Sequence, residues 1–204
     1  MSTHLPRSTP IAETTAAARW FPAAVILLVV LRAVFVVAIF AVDGDLNRPD
    51  SPLYLTLAQN LADLGWFSAS SETFVPEVFR TPGYPAFLAV FQQAGLDAAY
   101  WPIGAQHLLY LASVAIFFFS IRRLIDAPIA RAGALFLLIE PGGLAYPSFF
   151  LSDAPALLLL MASIMSLGFY LRHRRLPLLL ACAVLLGLAT AFIATYVPAA
   201  SETS

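Results

Sequence analysis

The sequence predicts an all-α, polytopic membrane protein with about five transmembrane helices and one large loop on the outer side of the membrane. Of its 204 residues, 60% are hydrophobic and only 11% are charged, whereas soluble domains carry about 25% charged residues. The apolar residues form long runs instead of the shorter periodic patterns of a soluble core. The arginines, finally, collect on alternate connecting segments. These three observations together predict the fold class.

The apolar runs define the predicted spans. The first run, residues 20–42, would be about 34 Å long as a helix at ~1.5 Å per residue, which is enough to cross a bilayer core. It is too long for a signal-peptide core and no small-residue cleavage site follows, so we expect it to remain as an anchor. Four further segments complete the count, at 103–121, 128–146, 154–171 and 176–198. Residues 1–19 and 199–204 are predicted to be tails outside the membrane.

The arginines predict the orientation. All eleven basic residues are arginine, and with the N-terminus inside most of them lie in or beside cytoplasmic segments, at Arg7, Arg19, Arg122, Arg123, Arg131, Arg172, Arg174 and Arg175. Only Arg48 and Arg80 fall outside, which matches the positive-inside rule. Residues 43–102 then form the outer loop. Because the chain is rich in Ala and lacks Lys, we expect a bacterial protein. The arginine placement predicts that it lies in the inner (plasma) membrane with a cytoplasmic N-terminus.

Two short helices are predicted within the outer loop. Residues 53–64 place apolar side chains at helical spacing, with Ser51 as N-cap, Pro52 in the first turn and Gly65 as the stop. A second helix is expected over residues 82–93. Both are too short to span a bilayer, so we expect amphipathic helices along the membrane surface.

Two aspartates, Asp50 and Asp153, fall on the outer side, each directly before or at the start of a predicted helix. The simplest interpretation of each is a helix-start residue, favoured by capping and by the helix dipole. A carboxylate just above the membrane is also suited to base catalysis or metal binding. Their common side of the membrane permits a paired site.

Three further ionisable residues stand out. Arg80 is expected near the bilayer surface, where it could hold a lipid phosphate or make an ordinary headgroup contact. Arg32 and Glu140 are predicted at membrane depth, where ionisable residues are usually paired or functional. They could pair with each other, and snorkelling is the alternative for Arg32. Pro141 and the glycines after it indicate a helix break that weakens the third span.

Several classes of function are disfavoured. The net charge of −1 offers no basic surface for nucleic acid. The single cysteine, Cys182, can form no intrachain disulfide, and the three histidines lack metal-binding spacing. No nucleophile motif of the Gly-x-Ser-x-Gly type occurs.

Three motifs, in order, resemble the GT-C membrane glycosyltransferases. Residues 48–61 (RPDSPLYLTLAQNL) are similar to the family's first outer loop, in which an acidic residue precedes Tyr-x-x-Leu-Ala-x-Asn-Leu. Residues 79–85 (FRTPGYP) resemble the Arg-x-Pro-Gly-Tyr-Pro element that follows. Residues 146–153 (YPSFFLSD) are similar to the second loop, which ends in an acidic residue. The nearest branches are the protein O-mannosyltransferase-like and the lipid A aminoarabinose transferase-like groups.

The resemblance implies transfer of a sugar from a polyprenyl-phosphate donor at the outer face to a lipid, glycan or protein acceptor. It assigns Asp50 as catalytic base or acceptor-positioning group, Asp153 as a ligand of a divalent metal such as Mg²⁺ or Mn²⁺, and Arg80 as the donor-phosphate group. Tyr54 and Tyr84 lie in the same motifs.

Two departures from the family accompany the resemblance. Family members commonly have eight to thirteen spans, so about five spans would correspond to an N-terminal portion. Relatives also often carry a basic residue near the outer end of the fifth span, and residues 187–194 carry none. A non-catalytic membrane subunit, a lipid-phosphate-binding protein, an inactive truncated fragment and a small transporter remain as alternatives.

Overall fold

The computed structural model describes residues 15–41, 48–97 and 100–193. Within these ranges the chain is helical, and the one strand-like pairing is an isolated antiparallel bridge between Ser68 and Pro76. The helices are α1 (Thr15–Ala41), α2 (Ser51–Leu64), α3 (Gly83–Gln93), α4 (Tyr100–Leu124), α5 (Ala127–Ile139), α6 (Pro141–Ala145), α7 (Asp153–His173) and α8 (Leu176–Thr190). A 3₁₀ turn, Tyr146–Ser148, follows α6.

Among the described residues, three helices are long and apolar enough to cross a membrane, namely α1 from Arg19 onwards, α4 and α7. Each leaves large apolar side chains exposed, among them Ile26, Leu108 and Ile164. Contiguous apolar surface of this kind is rare on a soluble monomer but is expected where lipid covers it. The described chain is therefore all-helical, with apolar helices suited to a membrane.

The third predicted span is broken. α5 ends at Ile139, and the following helical segment, Pro141–Ser148, is bent from it by 58°. Pro141 has no backbone N–H to continue the helix, and it disfavours helical geometry at the preceding residue. Glu140 accordingly has an extended ψ of 125°. The bent pair is either one broken span or a re-entrant loop.

The predicted number of five spans is not reached in the described residues, which hold three spans, or four if the bent pair counts as one. α8 is apolar but has only 15 residues, or about 22 Å at ~1.5 Å per residue, less than a bilayer core. The rest of the predicted fifth span, from residue 194 onwards, lies outside the described residues. A fifth span therefore stays a prediction.

The ends of the long helices lie at two opposite sides of the bundle. Phe21 stacks on Phe118 at a centroid distance of 5.1 Å, which places the start of α1 beside the end of α4. At the other side Phe40 meets Tyr100 edge to face at 4.7 Å. We call the side carrying α2 and α3 the loop end. We call the other side the arginine end, since α4 and α7 finish there in Arg122, Arg123 and Arg172.

α2 and α3 pack on each other and on the loop end of the bundle. The Tyr54 and Tyr84 rings meet edge to face at 5.0 Å. They share a buried cluster with Ile103 of α4 and Phe150 of the segment before α7. The apolar faces of both helices are thus largely covered by protein, so their predicted placement along the membrane surface is not confirmed.

Local signals explain where α2 and α3 begin and end. Pro52 lies in the first turn of α2, and Gly65 ends it with a left-handed φ of 71°, as predicted. Ser51 is the first helical residue and not the N-cap that the sequence suggested. α3 begins at Gly83, whose N–H donates to the Ala191 carbonyl oxygen at 2.9 Å. A Cβ at Gly83 would overlap that carbonyl, so glycine permits the approach.

Candidate functional site

Asp50 and Arg80 form an ion pair at the loop end. The Arg80 Nη2 atom donates to Asp50 Oδ1 at 2.5 Å. Asp50 directly precedes α2 but makes no side-chain capping bond to it. The helix-start interpretation therefore does not account for the Asp50 carboxylate, which faces the guanidinium of the second motif instead.

Arg80 is held in place by its own loop. The backbone N–H groups of Phe79 and Arg80 donate to Glu77 Oε1 at 2.6 and 3.1 Å. The Arg80 side chain is only 14% exposed. Its Nε atom is buried and has no hydrogen-bond partner within the described ranges. Part of the guanidinium thus keeps unused donor capacity next to the ion pair.

Tyr54 lies within the electrostatic reach of three charged groups. Burial raises the pKa of the Tyr54 hydroxyl, and the Arg80 guanidinium opposes this rise. The carboxylates of Asp50 and Asp153 raise the same pKa further, and a hydrogen bond from the side chain of Ser152 lowers it. Because such interactions weaken with distance, Tyr54 lies near both aspartates that the sequence placed on one side of the membrane.

Tyr84 is fully buried and its ring contacts that of Tyr54. Its hydroxyl donates to Gln106 Oε1 at 2.6 Å. Burial raises the pKa of Tyr84 well above its usual value, and Tyr54 and Asp153 add to the rise. Tyr84 is therefore neutral, and its hydrogen bond ties α3 to α4.

Hydrogen bonds join the segment before α7 to the start of α2. The Ser51 hydroxyl accepts from the Arg48 N–H at 2.8 Å and donates to the Phe150 carbonyl oxygen at 3.3 Å. The Arg48 guanidinium lies 3.5 Å from the centroid of the Phe149 ring. From α4, Gln106 Nε2 donates to the carbonyl oxygens of Pro147 and Phe149 at 2.9 and 2.8 Å.

These supporting residues were missed from the sequence. Gln106 is the one with a readable signal, because an amide in an otherwise apolar span needs a partner. Arg48 and Ser51 were noted only as a topological marker and a cap. Their partners lie about 100 positions away, as in the contact of Ser51 with Phe150, and no local pattern predicts that contact.

Arg32 and Glu140 do not pair with each other, contrary to the hypothesis. Arg32 is buried, which also excludes snorkelling, and it donates to the Gly143 carbonyl oxygen and approaches His107 Nδ1 at 3.2 Å. Glu140 accepts from the N–H groups of Gly142 and Gly143 at 2.7 and 2.6 Å. The helix break leaves these N–H groups without intrahelical partners, and the Glu140 carboxylate satisfies them. Gly143 thus links the two side chains.

A groove of about 460 Å³ opens beside Asp153. Asp153, Glu140, Tyr110 and Tyr146 contribute polar groups to its lining, and Leu157 and Leu160 extend along α7 away from the loop end. Since a residue advances ~1.5 Å along a helix, Leu160 lies about 10 Å deeper than Asp153. Along α7 the lining of the groove therefore passes from the polar Asp153 to apolar leucines.

A divalent metal fits these residues only with help from a substrate. Within the described ranges no group of three or more His, Cys, Asp or Glu side chains is placed to hold a metal. The Asp50 carboxylate is engaged with Arg80 and the Glu140 carboxylate with two backbone N–H groups, which leaves Asp153 as the acidic ligand of this set. Mg²⁺ sites do occur with one or two carboxylates plus substrate phosphates. A metal at Asp153 stays a proposal, and no chemical step below depends on it.

Comparisons with protein-family models, with curated proteins and with solved structures found no match to this chain. The resemblance to the GT-C enzymes rests on the three motifs alone. Asp50, Tyr54 and Arg80 of the first two motifs lie together at the loop end, and the third motif, through Asp153, lies beside them.

Proposed function

We propose that this chain transfers a sugar from a polyprenyl-phosphate donor to an acceptor at the outer face of the membrane. The observation that carries the proposal is the Asp50–Arg80 ion pair, which adjoins Tyr54 and Asp153 at the end of a bundle of apolar helices. It puts a carboxylate and a phosphate-binding group side by side, and Tyr54 next to them also lies near Asp153, which lines the groove.

The groove and Arg80 suit the two ends of such a donor. An isoprenoid chain is apolar and fits the part of the groove lined by Leu157 and Leu160. Arginine binds phosphate through two parallel hydrogen bonds, and Arg80 has a buried Nε donor without a partner in the described part of the chain. A donor phosphate would compete with Asp50 for the guanidinium.

Asp50 has the catalytic role in this proposal. An acceptor hydroxyl or amine attacks the anomeric carbon, the bond from that carbon to the phosphate oxygen breaks, and polyprenyl phosphate leaves. The proton of the acceptor passes to the Asp50 carboxylate, which the donor phosphate has released from Arg80. Tyr54 and Tyr84 are neutral, and the contact between their rings holds α2 against α3 beside the Asp50–Arg80 pair.

A second candidate is a non-catalytic membrane subunit that binds lipid phosphates. The ion pair also favours this function, because Asp50 is occupied by Arg80 as the structure stands. A transporter is less well supported, because Arg32 and Glu140, the ionisable residues predicted at membrane depth, both bond to backbone groups at the helix break.

The test is transfer from a labelled polyprenyl-phosphate sugar in membranes that contain the full chain. Label moving to an endogenous lipid, glycan or protein acceptor supports the enzyme. Saturable binding of the donor without any transfer supports the binding subunit instead. Adding EDTA, followed by Mg²⁺ or Mn²⁺, tests the proposed metal, and activity that is indifferent to EDTA rejects it.

A further inference from the structure

An apolar cleft of about 410 Å³ lies between α1, α4 and α5. Phe21 and Val25 of α1 form one wall, Phe118 and Phe119 of α4 form another, and Ala134 belongs to α5. The cleft shares no lining residue with the groove beside Asp153. It belongs to the half of the bundle nearer the arginine end, because the Phe21–Phe118 stack marks that end.

Positive charge borders this cleft. Arg122 and Arg123 follow Phe118 and Phe119 by one helical turn, so they lie on the same face of α4. A helical turn rises about 5.4 Å, so both arginines begin about one turn beyond the two phenylalanines that line the cleft. Arg19 of α1 precedes the cleft residue Pro22 by one turn. All three arginines are exposed.

In the part of the chain that the structure describes, few acidic residues lie near these arginines in the sequence. The first turns of α1 and α5 contain no acidic residue. Within the described residues, the acidic residue nearest in sequence to Arg122 and Arg123 is Asp126, whose carboxylate accepts from the Ile129 N–H at 2.8 Å and caps α5. A further arginine lies close by, since the Arg172 guanidinium donates to the Arg123 carbonyl oxygen.

We propose that this cleft binds an anionic phospholipid of the surrounding membrane. One acyl chain occupies the space between α1, α4 and α5, and Arg122 and Arg123 hold the headgroup phosphate, with Arg19 beside them. Any lipid chain would suit the apolar walls. The arginine cluster selects the charge of the headgroup, because arginine binds phosphate bidentately and a basic residue near the surface favours anionic lipid.

The test uses the full chain in neutral detergent, titrated with fluorescent phosphatidylglycerol and with phosphatidylcholine carrying the same label. The wild type should bind phosphatidylglycerol more tightly. The double variant Arg122→Gln/Arg123→Gln should weaken that binding by about 30-fold, which corresponds to ~1 kcal/mol for each arginine. Its matched control is Arg174→Gln/Arg175→Gln, which removes equal charge between α7 and α8, two helices that do not line the cleft.

The cleft itself is tested separately. Ala115 lines it and is exposed, so Ala115→Trp should fill the space and reduce binding of both labelled lipids. Ala112 is exposed on the same helix but does not line the cleft, so Ala112→Trp should leave binding unchanged. Unchanged elution on size exclusion serves as the folding control for all four variants.

Three results would overturn the proposal. Equal affinity of the wild type for the two lipids would show that the arginines do not select an anionic headgroup. An equal loss in the Arg174/Arg175 control shows general surface attraction to anionic lipid. Unaltered binding in Ala115→Trp shows that the acyl chain lies elsewhere.

Discussion

Gly143 is the residue at which three helices meet. Its carbonyl oxygen accepts from Arg32 of α1, and its N–H donates to Glu140 at the start of α6. A Cβ on Gly143 would overlap the hydroxyl of Tyr110 on α4, and that hydroxyl is itself fixed by donation to the Leu137 carbonyl oxygen at 2.6 Å. Neither neighbour can move without losing a hydrogen bond.

Replacing Gly143 with alanine should therefore destabilise the protein. We expect a loss of ~1–3 kcal/mol, as for overpacking elsewhere, measured by thermal unfolding in detergent. Gly104→Ala is the control, because nothing lies within 4 Å of a Cβ there. Alanine favours the interior of α4 by ~0.8–1 kcal/mol over glycine. Equal stability of the two variants would show that the contact with Tyr110 is not tight.

At the residue scale, the motifs singled out side chains that the structure brings together, but the contacts of those side chains were not predicted. Asp50, Arg80, Tyr54 and Tyr84 were singled out, and the structure brings them to one place. The ion pair itself was not predicted, because its geometry depends on the path of residues 66–79 between α2 and α3. Arg32 was identified as buried, but its partner proved to be a backbone carbonyl exposed by the helix break.

At the element scale, the described residues hold fewer spans than predicted because the third predicted span is broken and α8 is short. The Pro141 break was visible in the sequence, and its angle of 58° was not. α2 ends at Gly65 because the left-handed conformation there suits glycine. That α2 and α3 bury their apolar faces against the bundle depends on distant packing by Ile103 and Phe150.

The Glu140 carboxylate should stabilise α6 through its two hydrogen bonds. Glu140→Gln keeps one acceptor oxygen but presents an NH₂ group to the second N–H, so we expect a loss of ~1–3 kcal/mol for the unsatisfied donor. Asp126→Asn is the control, since its single capping bond to Ile129 suits asparagine equally well. Equal unfolding temperatures for Glu140→Gln and the wild type would contradict this account of the break.

At the scale of the whole molecule, the cluster of arginines and the candidate site lie at opposite ends of the helix bundle. The arginine end carries Arg122, Arg123 and Arg172, and the loop end carries the Asp50–Arg80 pair. The alternation of helix ends that the arginine pattern predicted agrees with the observed contacts of α1 with α4. The positive-inside rule then predicts that the arginine end is cytoplasmic.

Cysteine labelling tests this orientation in intact cells. Ser70→Cys, in the loop between α2 and α3, should react with an impermeant thiol reagent, and Asp126→Cys, between α4 and α5, should react only after lysis. Both belong in a Cys182→Ala background, which removes the one native thiol. Labelling of position 126 but not of position 70 from outside would reverse the topology and the predicted location of the site.

The most direct test of the central claim is sugar transfer by the Asp50→Asn variant. Asparagine fits the same position before α2 but cannot take the proton of the acceptor. We expect transfer from the labelled polyprenyl-phosphate sugar to fall by ~10²–10⁴-fold, the usual contribution of a general base. Asp63→Asn, an exposed change on the same helix, should keep the wild-type rate. Near-normal transfer by Asp50→Asn, with wild-type activity present in the same assay, would contradict the catalytic assignment of the ion pair.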